Sequence, residues 1–148
     1  MKVLKSYYSI LSSEKINTRL LVNDILEFLS CYNTKEAIDQ DTLFEVKVIL
    51  NELMQNALNH GNKKDIAKVI KVQVNIIENN MLCIVIEDEG EGYNFRYLME
   101  VIEKPQENLL EICDLKENGR GLMLVKSLSD KILFNDKGNK IEVLKKLR

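Results

Sequence analysis

The chain has 148 residues, 45% of them hydrophobic and 30% charged, with 21 basic against 23 acidic side chains for a net charge of −2. That is enough chain for one domain with its own core, and the composition excludes a disordered tail, a fibrous repeat and a small disulfide scaffold. A near-neutral balance leaves no overall electrostatic footprint for nucleic acid or an anionic membrane, and the longest apolar run, Met81 to Ile86, is six residues against the ~18 or more of a membrane span.

The N-terminus, Met1-Lys2-Val3-Leu4-Lys5, sets a second charge in its apolar stretch and no small-residue cleavage site follows, so no signal peptide is expected. Cys31, Cys83 and Cys113 are widely spaced and odd in number. They read as buried, reduced thiols of a cytoplasmic protein. One proline and no Gly/Ser-rich stretch give no linker, so residues 1–148 are expected to form a single domain.

In chain order, Val3 to Ile10 predicts a strand. A helix is expected from Ser12 or Ser13 to about Ser30, with Ile16, Leu20, Ile25 and Leu29 at helical spacing. A second helix is expected at Thr42, where Thr42-x-x-Glu45 matches a capping box. It would turn Phe44, Val48, Leu53, Met54, Ala57 and Leu58 inward and end before Gly61. Ile70 to Ile76 and Met81 to Ile86 read as a hairpin turning at Glu78-Asn79-Asn80. The returning strand is apolar on both faces and so central in its sheet. Gly90 and Gly92 end it. Phe95, Leu98, Met99 and Ile102 suggest a short helix, and Pro105 to Asn118 is polar and irregular. A third helix follows Gly121. Lys131 to Phe134 and Ile141 to Leu147 form a last hairpin around Asp136 to Gly138. The sum is an α+β fold: a two-layer sandwich of one mixed, mostly antiparallel sheet with helices on one face.

Common catalytic motifs are absent. There is no Gly-Lys-Ser/Thr and no nucleophile elbow, and the single histidine, His60, is followed by Gly61. Gly90-Glu91-Gly92 lacks the third glycine of a dinucleotide fingerprint, and Asp88 to Gly92 lacks the oxygen ligands of a calcium loop.

Three segments carry chemistry. In Asn51 to Gly61, Glu52 and Asn56 lie four apart and share a helix face. Such a carboxylate and amide can accept a proton and hold a hard cation; the same pair also reads as a solvated helix edge. In Ile84 to Gly92, a buried strand delivers Asp88 to its end, where glycines let backbone approach a ligand. A plain strand-ending turn reads the same way. In Glu117 to Val125, glycines open an apolar helix, which is an anion site when the free N–H groups face a ligand, with Arg120 adding charge.

Together and in this order, the segments resemble the N, G1 and G2 boxes of the ATPase superfamily of gyrase, a heat-shock chaperone, sensor histidine kinases and mismatch-repair MutL. The N box is matched at Glu52, Asn56, Ala57, His60 and Gly61, the G1 box at Asp88, Gly90 and Gly92, and the G2 box at Gly119, Gly121 and Leu122. Within that superfamily the short chain and the Gly119-Arg120-Gly121-Leu122 form are most similar to bacterial anti-sigma-factor serine-protein kinases, over nearly the whole chain.

The resemblance implies a histidine-kinase-like ATPase fold with a nucleotide lid at about 93–118. It implies ATP and Mg²⁺ as cofactors, with Glu52 as general base and Asn56 binding Mg²⁺ and nucleotide. Asp88 would recognise the adenine amine, and Gly90, Gly92, Gly119, Arg120, Gly121 and Leu122 would shape the nucleotide pocket. His60 is expected to pack or cap the helix end. The partners implied are a sigma factor and an anti-sigma-factor antagonist phosphorylated on serine, in a cytoplasmic homodimer without direct nucleic-acid or membrane contact. The other readings are a non-catalytic ATP-binding regulatory module and the stand-alone ATPase domain of a sensor histidine kinase. Two positions depart from the family pattern. Asn139 follows Gly138 where a threonine often helps bind the base, and Asn94 follows Tyr93 where an aspartate is common.

Overall fold

Alternation of apolar side chains builds the sheet. The structure, a computed structural model, describes residues 2–13, 17–32, 38–63, 65–91 and 117–148, leaving aside the side chains of residues 60 and 117–120. Its elements are β1 (Val3–Ser12), α1 (Thr18–Ser30), α2 (Gln40–Gln55), a π-helical turn (Asn56–Gly61), β2 (Val69–Ile77), β3 (Met81–Glu87), α3 (Glu117–Leu128), β4 (Lys131–Phe134) and β5 (Lys140–Lys146). The five strands run in the order β1-β2-β3-β5-β4. Every pairing among the described residues is antiparallel, where a mixed, mostly antiparallel sheet was expected. No described strand pair is joined by a crossover that would make it parallel.

One sheet face is apolar. Ile70, Val72, Val74 and Ile76 of β2 and Leu82, Ile84 and Ile86 of β3 join Val143 and the inner faces of the three helices in one core. On the other face Lys71 pairs with Glu87 across β2 and β3 at 3.8 Å. The result is the two-layer α+β sandwich. The expected hairpins are present. Asn79 and Asn80 hold φ of 65° and 57° between β2 and β3, the left-handed region that asparagine tolerates best among side-chain-bearing residues. Gly138 takes φ 81° in the last turn.

The helix starts differ from expectation. Helix α1 begins at Thr18, not Ser12 or Ser13, because β1 runs on to Ser12 and Asn17 provides the cap, accepting from Leu20 N at 3.1 Å. Its buried stripe is Leu21, Val22, Ile25 and Leu29, which leaves Leu20 exposed. Helix α2 is capped by Asp39, whose Oδ1 accepts from Thr42 N at 2.6 Å. Thr42 is inside the helix and buried, and Glu45 serves Lys145 instead of a capping box. The buried stripe of α2 is Thr42, Val46, Ile49, Leu50, Leu53 and Met54. Phe44, two residues from each of Thr42 and Val46, falls about 200° around the helix and is 66% exposed; Val48 is only half-buried.

Helix α3 begins at Glu117, ahead of both glycines, so Gly119, Arg120 and Gly121 lie in its first turns and do not form a loop before it. Of the cysteines, Cys83 is buried, whereas Cys31 is exposed at the end of α1, contrary to the expectation of buried thiols. Burial, with Glu142 beside it, pushes the Cys83 thiol up to about 12. Cys113, the short helix expected around Phe95 to Ile102 and the lid expected at about 93–118 lie outside the described residues, except that residues 117 and 118 belong to α3. Among the described residues no helix is long and apolar enough to cross a membrane.

Candidate functional site

The end of α2 is where the helix changes its winding. After Gln55 the backbone widens into the π-helical turn, and Asn62 N bonds five residues back to Ala57 O at 2.8 Å. Short π segments inside helices recur at functional sites, since the extra residue re-aims side chains. Here the transition falls on Asn56, so Glu52 sits on regular α-helix and Asn56 on the first residue of the wider turn. Asn56 is buried and Glu52 is half-buried.

Asn56 borders a narrow cleft between α2, β3, α3 and the β4–β5 hairpin. Leu53, Ala57, Ile86, Leu122, Phe134 and Ile141 give it apolar walls, and Asp88 and Asn139 give it a polar end. Strand β3 explains the arrangement. Its central place puts Ile84 and Ile86 in the core and carries Asp88 one step past the strand end.

Asp88 is held from several sides. Its N–H donates to Asn139 O at 2.9 Å, and Asn139 Nδ2 donates to Asp88 O at 2.8 Å. Gly90 N donates to Asp88 Oδ1 at 2.8 Å. Burial raises the Asp88 carboxyl above its ordinary value, against the Gly90 N–H and Lys137, which favour the charged form. Two glycines make room for it. A Cβ on Gly61 would fall on the Asp88 carboxylate, and a Cβ on Gly90 would fall on the Gly61 carbonyl oxygen. At the other end, a Cβ on Gly121 would fall on Glu52 Oε2, so the α3 backbone lies directly against that carboxylate.

The structure therefore brings Asn56, Asp88 and Leu122 to the lining of one cleft, with Gly90 packed against Asp88 and Gly121 against Glu52. Gly119 and Arg120 are in the first turn of α3, and the Arg120 side chain lies outside the described residues, as does Gly92. The sequence reading gave no role to Gly61 beyond its motif match, and it missed Asn62, Phe134 and Ile141. A period-two pattern in the last hairpin was the only signal for the two apolar residues.

The donor set suits a specific ligand chemistry. An exocyclic amine would meet a carboxylate acceptor at Asp88, beside apolar side chains that suit the faces of a flat ring. The Asn56 side-chain amide, one turn from Glu52, is the kind of oxygen donor a hard cation would take. Among the described residues no three His, Cys, Asp or Glu side chains converge, so a cation here would take one or two protein oxygens and complete its shell with phosphate and water, the habit of Mg²⁺. The residues present fit a Mg-nucleotide.

Comparison with known proteins gives the family. The histidine kinase-like ATPase domain matches residues 17–145. The chain is 26% identical over 100 residues to the anti-sigma F factor of Geobacillus stearothermophilus, covering 68% of this chain and 64% of that relative's length. It is 28% identical over 110 residues to the serine-protein kinase RsbW of Staphylococcus aureus (strain MRSA252), covering 73% and 68%. It is 29% identical over 111 residues to the anti-sigma F factor of Clostridium perfringens, covering 72% and 74%.

Proposed function

The chain belongs to the histidine kinase-like ATPase domain family, and from that premise we propose that it is an ATP- and Mg²⁺-dependent serine-protein kinase of the anti-sigma type. It would hold a sigma factor inactive and phosphorylate an anti-sigma-factor antagonist on serine, so regulating transcription from the cytoplasm as a homodimer. Similarity to anti-sigma F factors and to RsbW supports the class. The observation that carries the reading is the pairing of Glu52 and Asn56 one helical turn apart, with Gly121 of α3 against Glu52 and Asp88 closing the far end of the cleft.

Each residue has a chemical task in this reading. Asp88 accepts a hydrogen bond from the adenine amine and repels the carbonyl oxygen of guanine. Leu53, Ala57, Ile86, Leu122, Phe134 and Ile141 shed water from the ring. Asn56 would hold Mg²⁺, which would supply charge to offset that of the phosphates. Glu52 takes the proton of the attacking serine hydroxyl, so it acts chiefly in the transition state. Positioning and electrostatics carry most of such a transfer.

The test is affinity capture from the source cell with Mg-ATP or Mg-ADP present, followed by phosphate transfer to the captured proteins. Co-purification of a sigma factor and a small antagonist that becomes phosphoserine-labelled is expected. Capture of a histidine kinase with phosphohistidine formation would overturn the serine-kinase reading. Tight Mg-ATP binding with no transfer to any captured protein would make the chain a regulatory nucleotide module.

A further inference from the structure

Asn62 follows the π-helical turn and is 0% exposed. Buried amides are retained where their hydrogen-bonding capacity is used, and here both N–H donors and the oxygen are engaged. Its Nδ2 donates to Ser13 Oγ at 3.0 Å and to Val69 O at 2.9 Å. Its Oδ1 accepts from Glu89 N at 2.7 Å. The end of β1, the start of β2, the π-helical turn and the loop after β3 therefore meet on one side chain. Glu89 reinforces the join by accepting from Val69 N through Oε1 at 2.6 Å.

The consequence falls on one peptide unit. The Asp88–Glu89 peptide has its carbonyl oxygen held by Asn139 Nδ2 and its N–H held by Asn62 Oδ1. Two side-chain amides from different parts of the chain thus grip one peptide plane at both polar atoms. The Asp88 N–H is also bonded, to Asn139 O. Both peptide planes flanking the Asp88 Cα are then fixed, which leaves its carboxylate only side-chain torsion to move by. The Gly90 N–H and the space left by Gly61 and Gly90 restrict that torsion too.

We propose that Asn62 is the positioning residue for base selection: with Asn139 it clamps the Asp88–Glu89 peptide, and so aims the Asp88 carboxylate at the exocyclic group of a bound purine. The proposal rests on the nucleotide-binding reading above and deepens it. Asn62 is fully buried and does not line the cleft. Its loss lets the peptide rotate, so the carboxylate can withdraw from an adenine amine or turn away from a guanine carbonyl. Discrimination between ATP and GTP then fades while phosphate and metal contacts persist. Ser13 supplies a control, because Ser13→Ala removes one partner of Asn62 and leaves the bond to Glu89 N intact.

Calorimetric titration of the full chain with ATP and with GTP tests this on wild type, Asn62→Ala and Ser13→Ala. Wild type is expected to prefer ATP. The ATP-to-GTP affinity ratio is expected to narrow by about tenfold or more in Asn62→Ala, the range for a misplaced buried hydrogen bond, and to hold in Ser13→Ala. A wild type without ATP preference would overturn the nucleotide reading and this proposal with it. A wild type that discriminates, beside an Asn62→Ala chain that discriminates equally well, would overturn the proposal alone. Should Asn62→Ala not fold, hydrogen exchange on the nucleotide-free wild type decides: a protected Glu89 amide is expected, and exchange at the rate of an exposed loop amide would overturn the clamp.

Discussion

Asp88 is a carboxylate that its surroundings make hard to ionise. It is 7% exposed, and burial raises its proton affinity above that of an ordinary aspartate. The sign of the linkage follows. A folded state that binds the proton more tightly than the unfolded state loses stability as pH rises from the unfolded value, 3.8, through the raised folded value. Asp88→Asn removes that ionisation and keeps an oxygen for the Gly90 N–H. The variant is expected to unfold at a temperature equal to or above wild type at neutral pH, with the gain vanishing in acid, while its ATP affinity drops strongly. Thermal unfolding across pH, paired with titration, checks both parts; a variant less stable than wild type at neutral pH would count against burial as the dominant effect. At this scale, what the sequence revealed depended on distance along the chain. Glu52 and Asn56 were legible because four residues on a helix fix a shared face, and Asp88 because a glycine pair ends its strand. Asn62 was not, since its partners Ser13 and Glu89 are brought to it by the sheet.

Elements are joined by a lysine that the core does not release to solvent. Lys145 of β5 has a side chain 8% exposed, pairs with Glu45 Oε2 of α2 at 2.5 Å and donates to Leu128 O at the end of α3 at 2.6 Å. One ammonium thus ties the strand to both helices that border the cleft. Glu45→Ala strands that charge and is expected to lower stability by about 1–3 kcal/mol, the usual penalty for a buried group left short of a partner. Glu45→Ala/Lys145→Met removes the stranded charge too, so the double variant should recover part of the loss. Denaturant midpoints for wild type, both single variants and the double variant measure the coupling, and strictly additive losses would contradict it. Helix starts were the least legible feature of the elements. Thr42-x-x-Glu45 has the form of a capping box, yet Asp39 caps α2, which puts Thr42 inside the helix and leaves Glu45 to a residue 100 positions away. The hairpins were legible because each turn and both of its strands are contiguous in sequence.

Across the whole molecule, the antiparallel sheet gathers four separated stretches into one cleft: the end of α2, the end of β3, the second turn of α3 and the last hairpin. The α+β class and the face that carries the helices followed from alternation and helical spacing. The meeting of Gly121 with Glu52 did not, because a glycine reports nothing in sequence about the atom it makes room for. That contact places the base of the proposed chemistry against α3, and it makes Glu52 the residue on which the proposed activity turns. The most direct test pairs Mg-ATP titration with single-turnover phosphate transfer to the captured antagonist, on wild type and Glu52→Ala. Glu52→Ala is expected to bind Mg-ATP as wild type does and to transfer phosphate about 10²–10⁴-fold more slowly, the usual worth of a general base. Transfer by Glu52→Ala at the wild-type rate would contradict it.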